Sequence, residues 1–169
     1  MCSLAVGELC RPQSGYLTCS INRNLEHVNS LPVPTLEISE NPLSLERAYA
    51  ALADARSGGV ALFVGRVREF NEGKEVRGLT YTAHPTALER LAEVVAHVSL
   101  RFTPLQIMAA HRTGDLALGE IAVICGVATV HRDDAFAACQ LLIDTLKSGV
   151  PIWKEEFYVD GSAHWVGTP

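Results

Sequence analysis

From residue 121 to residue 130 the chain reads IAVICGVATV, with no charged side chain. A strand with one wet face alternates apolar and polar residues, so a run without that alternation has to be covered on both faces. The chain is thereby committed to a layered fold, with this strand near the middle of a sheet. Residues 59–68, GVALFVGRVR, are apolar and β-branched before they turn basic. They read as a second buried strand, whose end carries Arg66 and Arg68.

Helical spacing supplies the covering layers. Leu88, Leu91, Val94, Val95 and Val98 recur at three and four residues, which predicts an amphipathic helix over residues 85–102. Leu45, Ala48, Leu52 and Ala55 predict another, capped by Ser44 and stopped by Gly58. Phe136, Cys139, Ile143 and Leu146 predict a third, capped by Asp133 or Asp134 and ended by Gly149 and Pro151. Further strands are expected at residues 35–38, 78–84 and 105–111, and at 152–159 as an edge. Residues 69–77 read as a loop and 114–120 as a turn region. Hairpin-like and helix-separated strand pairs are mixed, so the expected class is α+β rather than a doubly wound sheet.

At 169 residues and 48% hydrophobic content, the chain can bury one sizeable core. Residues 1–34 show neither period and have no apolar face, and are expected to be a disordered extension, absent if translation starts downstream. Residues 35–169 then form one domain. A net charge of −5 excludes a broad basic surface for nucleic acid, so any anion site must be local. No apolar run reaches the roughly 18 residues that cross a bilayer, and the first residues have no secretory pattern, so a cytoplasmic protein is expected. The five cysteines include no CxxC pair. Cys125 and Cys139 read as small buried hydrophobes, and neither a metal nor a cofactor is expected.

The candidates for chemistry are cations. His131 and Arg132 stand where a buried strand gives way to a helix, and Arg68 ends another strand; two such strand ends could converge into a fork for phosphate. Surface pairing of Arg132 with Asp133 or Asp134 is the alternative. Lys147 occupies the last turn of its helix, where the helix dipole alone favours a cation. The break at Gly149 and Pro151 lets Lys154 fold back toward it. Two ammonium groups about 6 Å apart would repel by ~2.8 kcal/mol at an effective dielectric of about 20, favouring one neutral, nucleophilic amine. Glu155 or Glu156 beside either lysine would instead hold it charged, as an acid and anion holder.

Four blocks occur in order: Phe63-Val-Gly65-x-Val67-Arg68-x-x-Asn71, His111-Arg112-x-Gly114-x-Leu116-x-x-Gly119-Glu120, His131-Arg132-x-x-Ala135-Phe136, and Leu146-Lys147-x-x-Val150-Pro151-Ile152-Trp153-Lys154. Together they resemble the large, catalytic subunit of molybdopterin synthase, from about residue 36 to residue 166. The resemblance implies an α/β hammerhead with an added antiparallel β subdomain. It also implies a homodimer within a heterotetramer, with a small ubiquitin-like sulfur-carrier subunit at each end whose Gly-Gly tail bears a thiocarboxylate. The implied reaction is transfer of two sulfurs to cyclic pyranopterin monophosphate, giving the dithiolene of molybdopterin. By position, Lys147 and Lys154 match the catalytic lysines. Arg68, His131 and Arg132 match residues that hold the anionic substrate, with Arg66, Val67, Glu155 and Glu156 around them. The chain departs from the family pattern at residues 81–87 and in its amino-terminal extension.

Two other readings stay open on the residues alone. One is a module that docks a ubiquitin-like tail without turnover. The other is a lysine enzyme that forms a Schiff base with a carbonyl phosphate, which borohydride would trap.

Overall fold

The computed structural model describes residues 34–166. The extension expected over residues 1–34, with Cys2, Cys10 and Cys19, lies outside them except for Pro34. In chain order the elements are β1 (Thr35–Ser39), α1 (Leu45–Ala50), β2 (Gly59–Arg66), β3 (Phe70–Asn71), β4 (Lys74–Ala83) and α2 (Ala87–Phe102). Then follow β5 (Gln106–Arg112), β6 (Gly114–Ala117), β7 (Ile121–Thr129), α3 (Arg132–Gly149), β8 (Ile152–Tyr158) and β9 (Ala163–Val166).

The first sheet has the order β1-β5-β7-β2, with β1 parallel to β5 and the other pairs antiparallel. As its composition requires, β7 is interior. Val123, Cys125 and Val127 pack with Leu91, Val95 and Val98 of α2 and Leu142 of α3. Ile124 and Ala128 point the other way, against Leu43, Ala48, Leu52 and Met108. Gly126 allows that second layer to approach: a Cβ there would lie 2.5 Å from Leu52 Cδ1 and 2.9 Å from Leu62 Cδ2.

The second sheet is wholly antiparallel, in the order β3-β4-β8-β9, with β6 also paired to β4. Val67, Leu79, Leu116 and Ala122 form a small apolar cluster that joins it to the first. The α+β class holds, with the helices on one sheet and a separate antiparallel sheet beside it.

Several local expectations are corrected. Residues 69–77 are a hairpin rather than a loop: β3 turns into β4 through Glu72 (φ 50) and Gly73 (φ 80). Two successive left-handed residues make the tight turn whose twist suits paired strands. β3 has only two residues, and of the β4 residues within this segment only Val76 is buried, so no apolar alternation marked the hairpin. β4 begins at Lys74, ahead of the expected start at residue 78, and pairs with β8. Nor is β8 an edge, since β9 covers it; all four β9 residues are exposed, which erased its pattern. Part of the expected turn region, Gly114–Ala117, is β6.

α1 ends at Ala50, although Ser44 caps it as expected, its hydroxyl accepting from the Arg47 N–H at 3.2 Å. α3 is capped by the backbone of His131, and Asp133 and Asp134 lie in its first turn, where they complement the helix dipole. Phe136 is 66% exposed. The buried stripe is Ala135, Ala138, Cys139, Leu142, Ile143 and Leu146. Cys139, Ile143 and Leu146 are buried as expected, and Phe136 alone of the four faces outward, where the small Ala135 and Ala138 line the stripe instead. Among the described residues, no helix is long and apolar enough to cross a membrane.

Candidate functional site

The site is built on β8, between β4 and β9. Lys154 stands opposite Tyr81 and Val166, and Glu156 opposite Leu79 and His164. Strand alternation puts Lys154, Glu156 and Tyr158 on one face and turns Glu155 to the other, with Trp153 and Phe157. The first face is the inward one: the Lys154 side chain is 20% exposed and that of Glu156 5%. Lys154 Nζ donates to Glu156 Oε1 at 2.6 Å. Glu156 Oε2 accepts from Tyr158 Oη at 2.9 Å and from Asn71 Nδ2 at 2.6 Å. Asn71 Oδ1 accepts in turn from Arg68 Nη2 at 2.6 Å. Arg68, Asn71, Glu156 and Lys154 thus form one continuous run of hydrogen bonds across β3 and β8.

Burial pushes the Glu156 carboxyl up, but the hydrogen bonds from Lys154, Tyr158 and Asn71, with the Lys154 charge, outweigh it and hold it below the usual carboxylate range. Glu156 is therefore an ionised acid in an apolar setting. Its donation to this acid, followed by burial, pushes the Tyr158 phenol up. Tyr81 is raised by burial and by the same negative charge.

Lys147 lies in the last turn of α3, exposed, with Nζ 5.8 Å from the ring centroid of Phe63 on β2. That is cation–π range. Among the described residues, Lys147 has no carboxylate partner. Nearby, the Cys125 thiol is pushed up to about 12 by burial and by Cys139, with the Lys147 charge opposing. Cys125 and Cys139 are both buried, as expected of inert thiols, and the Cys139 thiol donates to the Cys125 carbonyl at 3.6 Å.

Arg66 donates through Nε to the Gly119 carbonyl at 2.7 Å. Gly119 has φ +78, and a Cβ there would meet an Arg66 guanidinium nitrogen at 3.0 Å. Val67 offers no polar side chain. It is buried in the cluster joining the sheets and exchanges backbone hydrogen bonds with Glu120 and Gly119.

The fork of Arg68 with His131 and Arg132 does not form within one chain. β2 and β7 are antiparallel, with Gly59 opposite Thr129 and Arg66 opposite Ile121. Eight residue steps at ~3.3 Å set the two ends about 25 Å apart. His131 and Arg132 sit beside the start of β2, where a Cβ on Gly59 would touch the Arg132 Cα at 2.8 Å. Both side chains are exposed, and among the described residues the ion-pair partner of Arg132 is Asp133, at 3.8 Å.

The two lysines therefore differ in surroundings. Lys154, held by an ionised acid, suits proton donation and anion binding; Lys147, over an aromatic face, suits contact with an incoming group. A cleft of about 370 Å³ bordered by Asn71, Lys74, Tyr158 and His164 opens beside the run. Among the described residues, no three His, Cys, Asp or Glu side chains gather as a metal site. Sequence reasoning left Asn71 and Tyr158 without a role. The parity of residues 154, 156 and 158 was the available signal for Tyr158, whereas Asn71 reaches Glu156 only through the unrecognised hairpin.

The MoaE protein family model matches residues 38–149. The chain is 38% identical over 135 residues to molybdopterin synthase catalytic subunit 1 of Mycobacterium tuberculosis, covering 79% of this chain and 91% of that protein. It is 38% identical over 147 residues to the molybdopterin synthase catalytic subunit of a Nostoc species, covering 81% and 89%. Among solved structures, molybdopterin synthase from Staphylococcus aureus superposes with a TM-score of 0.74 at 32% identity, covering 78% of this chain and 96% of that one. The fold is also shared with a chain in the complex of subunits 1 and 2 of the molybdopterin-converting factor from Helicobacter pylori, TM-score 0.63 at 24% identity, covering 78% and 89%.

Proposed function

The chain belongs to the MoaE protein family, and from that premise we propose that residues 35–169 act as the catalytic subunit of a cytoplasmic molybdopterin synthase. Its partner is a small ubiquitin-like carrier whose Gly-Gly tail ends in a thiocarboxylate, and its substrate is cyclic pyranopterin monophosphate. Each transfer breaks one carbonyl–sulfur bond of a carrier tail and forms one carbon–sulfur bond on the pterin in place of a carbon–oxygen bond there. A water oxygen restores the carrier carboxylate, and two carriers supply the two sulfurs of the dithiolene. The observation that carries this reading is the hydrogen-bonded run from Arg68 through Asn71 and Glu156 to Lys154. The run links a guanidinium, a group suited to holding an anion, through Asn71 to the acid that binds an amine suited to giving a proton. Lys147 meets the carrier tail, and Arg66 stands beside the substrate's anionic end.

His131 and Arg132 lie too far from Arg68 in one chain to share its substrate. A second copy of this chain supplies them, in a homodimer with one carrier on each subunit. The exposure of both side chains at a helix start suits that arrangement. Glu155, turned away from Lys154, acts outside the immediate substrate contacts.

The test mixes the purified chain with thiocarboxylated carrier and precursor and assays the dithiolene product. Product is expected with the wild-type chain and none with Lys147→Ala of unchanged melting temperature. Failure of the wild-type chain to form product would overturn the reading.

A further inference from the structure

We propose that Asn71 and Tyr158 are positioning residues: they fix the Glu156 carboxylate from one side so that its other oxygen holds Lys154, and Asn71 ties Arg68 to the same acid. This rests on the sulfur-transfer reading and deepens it by naming what sets the geometry of its lysine. Glu156 is only 4% exposed, so it is reached by side chains rather than by substrate. Its two oxygens are divided in use: Oε1 takes Lys154, while Oε2 takes Asn71 and Tyr158. Two donors converging on Oε2 restrain the turning of the carboxylate, so the direction of the Lys154 ammonium is inherited from Asn71 and Tyr158.

The amide of Asn71 is used at both ends, its oxygen toward Arg68 and its nitrogen toward Glu156. A carboxylate cannot do both jobs, because the Arg68 end requires an acceptor and the ionised Glu156 end a donor. Backbone geometry makes that reach possible. Asn71 opens the two-residue turn through Glu72 and Gly73 and is paired with Lys74. Tyr158 is itself braced by Lys74, 5.2 Å from its ring centroid, and by the His164 ring at 5.9 Å.

The charged and titratable groups around Glu156 are Lys154 and Tyr158 on β8, Tyr81 and Lys74 on β4, His164 on β9, and Arg68 and Glu72 at the hairpin. Burial works against the charged acid, and the donors overcome it. Removing a donor therefore moves the Glu156 titration to higher pH.

The experiment follows the Glu156 carboxyl carbon by NMR against pH in the full chain labelled at glutamate, assigned by its absence in Glu156→Gln. The variants are Asn71→Ala, Asn71→Asp and Tyr158→Phe. All three are expected to titrate at higher pH than wild type, and the acid limb of their single-turnover rate to move with them. Asn71→Asp keeps an acceptor for Arg68, so its rate falls roughly 10- to 100-fold while the precursor KM stays within about threefold. Asn71→Ala loses both limbs, and its KM rises as well. An unmoved Glu156 titration in variants whose melting temperatures are retained overturns the proposal, and Tyr158→Phe decides it if Asn71→Ala fails to fold. The NMR measurement needs neither carrier nor pterin. A moved titration with no sulfur transfer even in the wild type sinks the functional reading and leaves the positioning role standing.

Discussion

Lys154 and Lys147 carry the same group in different surroundings, an ionised acid beside one and an aromatic face beside the other. Lys154→Ala leaves Glu156 as a buried, ionised acid without its cation, a costly state. The single-turnover rate is expected to fall about 100-fold or more, the usual loss when a proton-transfer group is removed. Lys154→Arg, which keeps the charge but changes the donor geometry, should restore only part of it. His111 gives an independent stability prediction. It is 7% exposed, its Nδ1 lies 2.7 Å from the Arg112 carbonyl, and burial pushes it below its usual range against the pull of that carbonyl. Unfolded histidine takes up its proton first as pH falls, so stability is lost from about pH 6.5 downward toward the lower folded value. Thermal melts should show that slope in the wild type and a flatter one in His111→Gln.

Among the elements, β2 and the start of α3 approach each other backbone to backbone. At Gly59 a Cβ would meet the Arg132 backbone at 2.8 and 2.9 Å. Backbone cannot step aside as a side chain can, so Gly59→Ala is expected to lower stability by about 1–3 kcal/mol, measured by denaturant unfolding. It would also shift His131 and Arg132, and with them any contact they make. The reading of elements succeeded where burial wrote a period into the chain: the uniform apolarity of β7, the three-to-four spacing of α2 and the Ser44 cap of α1. It failed for β3, β6 and β9, which are two to four residues long and mostly exposed. Such strands exist through backbone hydrogen bonds to a neighbouring strand rather than through a buried side-chain face, and those leave no pattern in the side chains.

For the whole molecule, the antiparallel register of β2 and β7 separates the substrate-holding candidates into two groups. The proposed homodimer reunites them. Mixing Lys154→Ala with Arg132→Ala, each inactive alone, should therefore restore about a quarter of the sites after subunit exchange, since one site of each mixed dimer receives no substitution. No restoration would mean that each chain works with its own residues. The sequence by itself determined the class of fold, the central strand, the amphipathic helices and the family, along with every candidate cation, because periodicity and ordered motifs are local properties of the chain. Only the tertiary structure decided which of those cations share a site. It put Glu156 on the inward face with Lys154, turned Glu155 away, brought Asn71 across from a hairpin and sent His131 and Arg132 to the far end of the sheet. The physical reason is that strand partnership and register are set by burial summed over the whole core, and a shift of one residue in either reverses what a side chain faces.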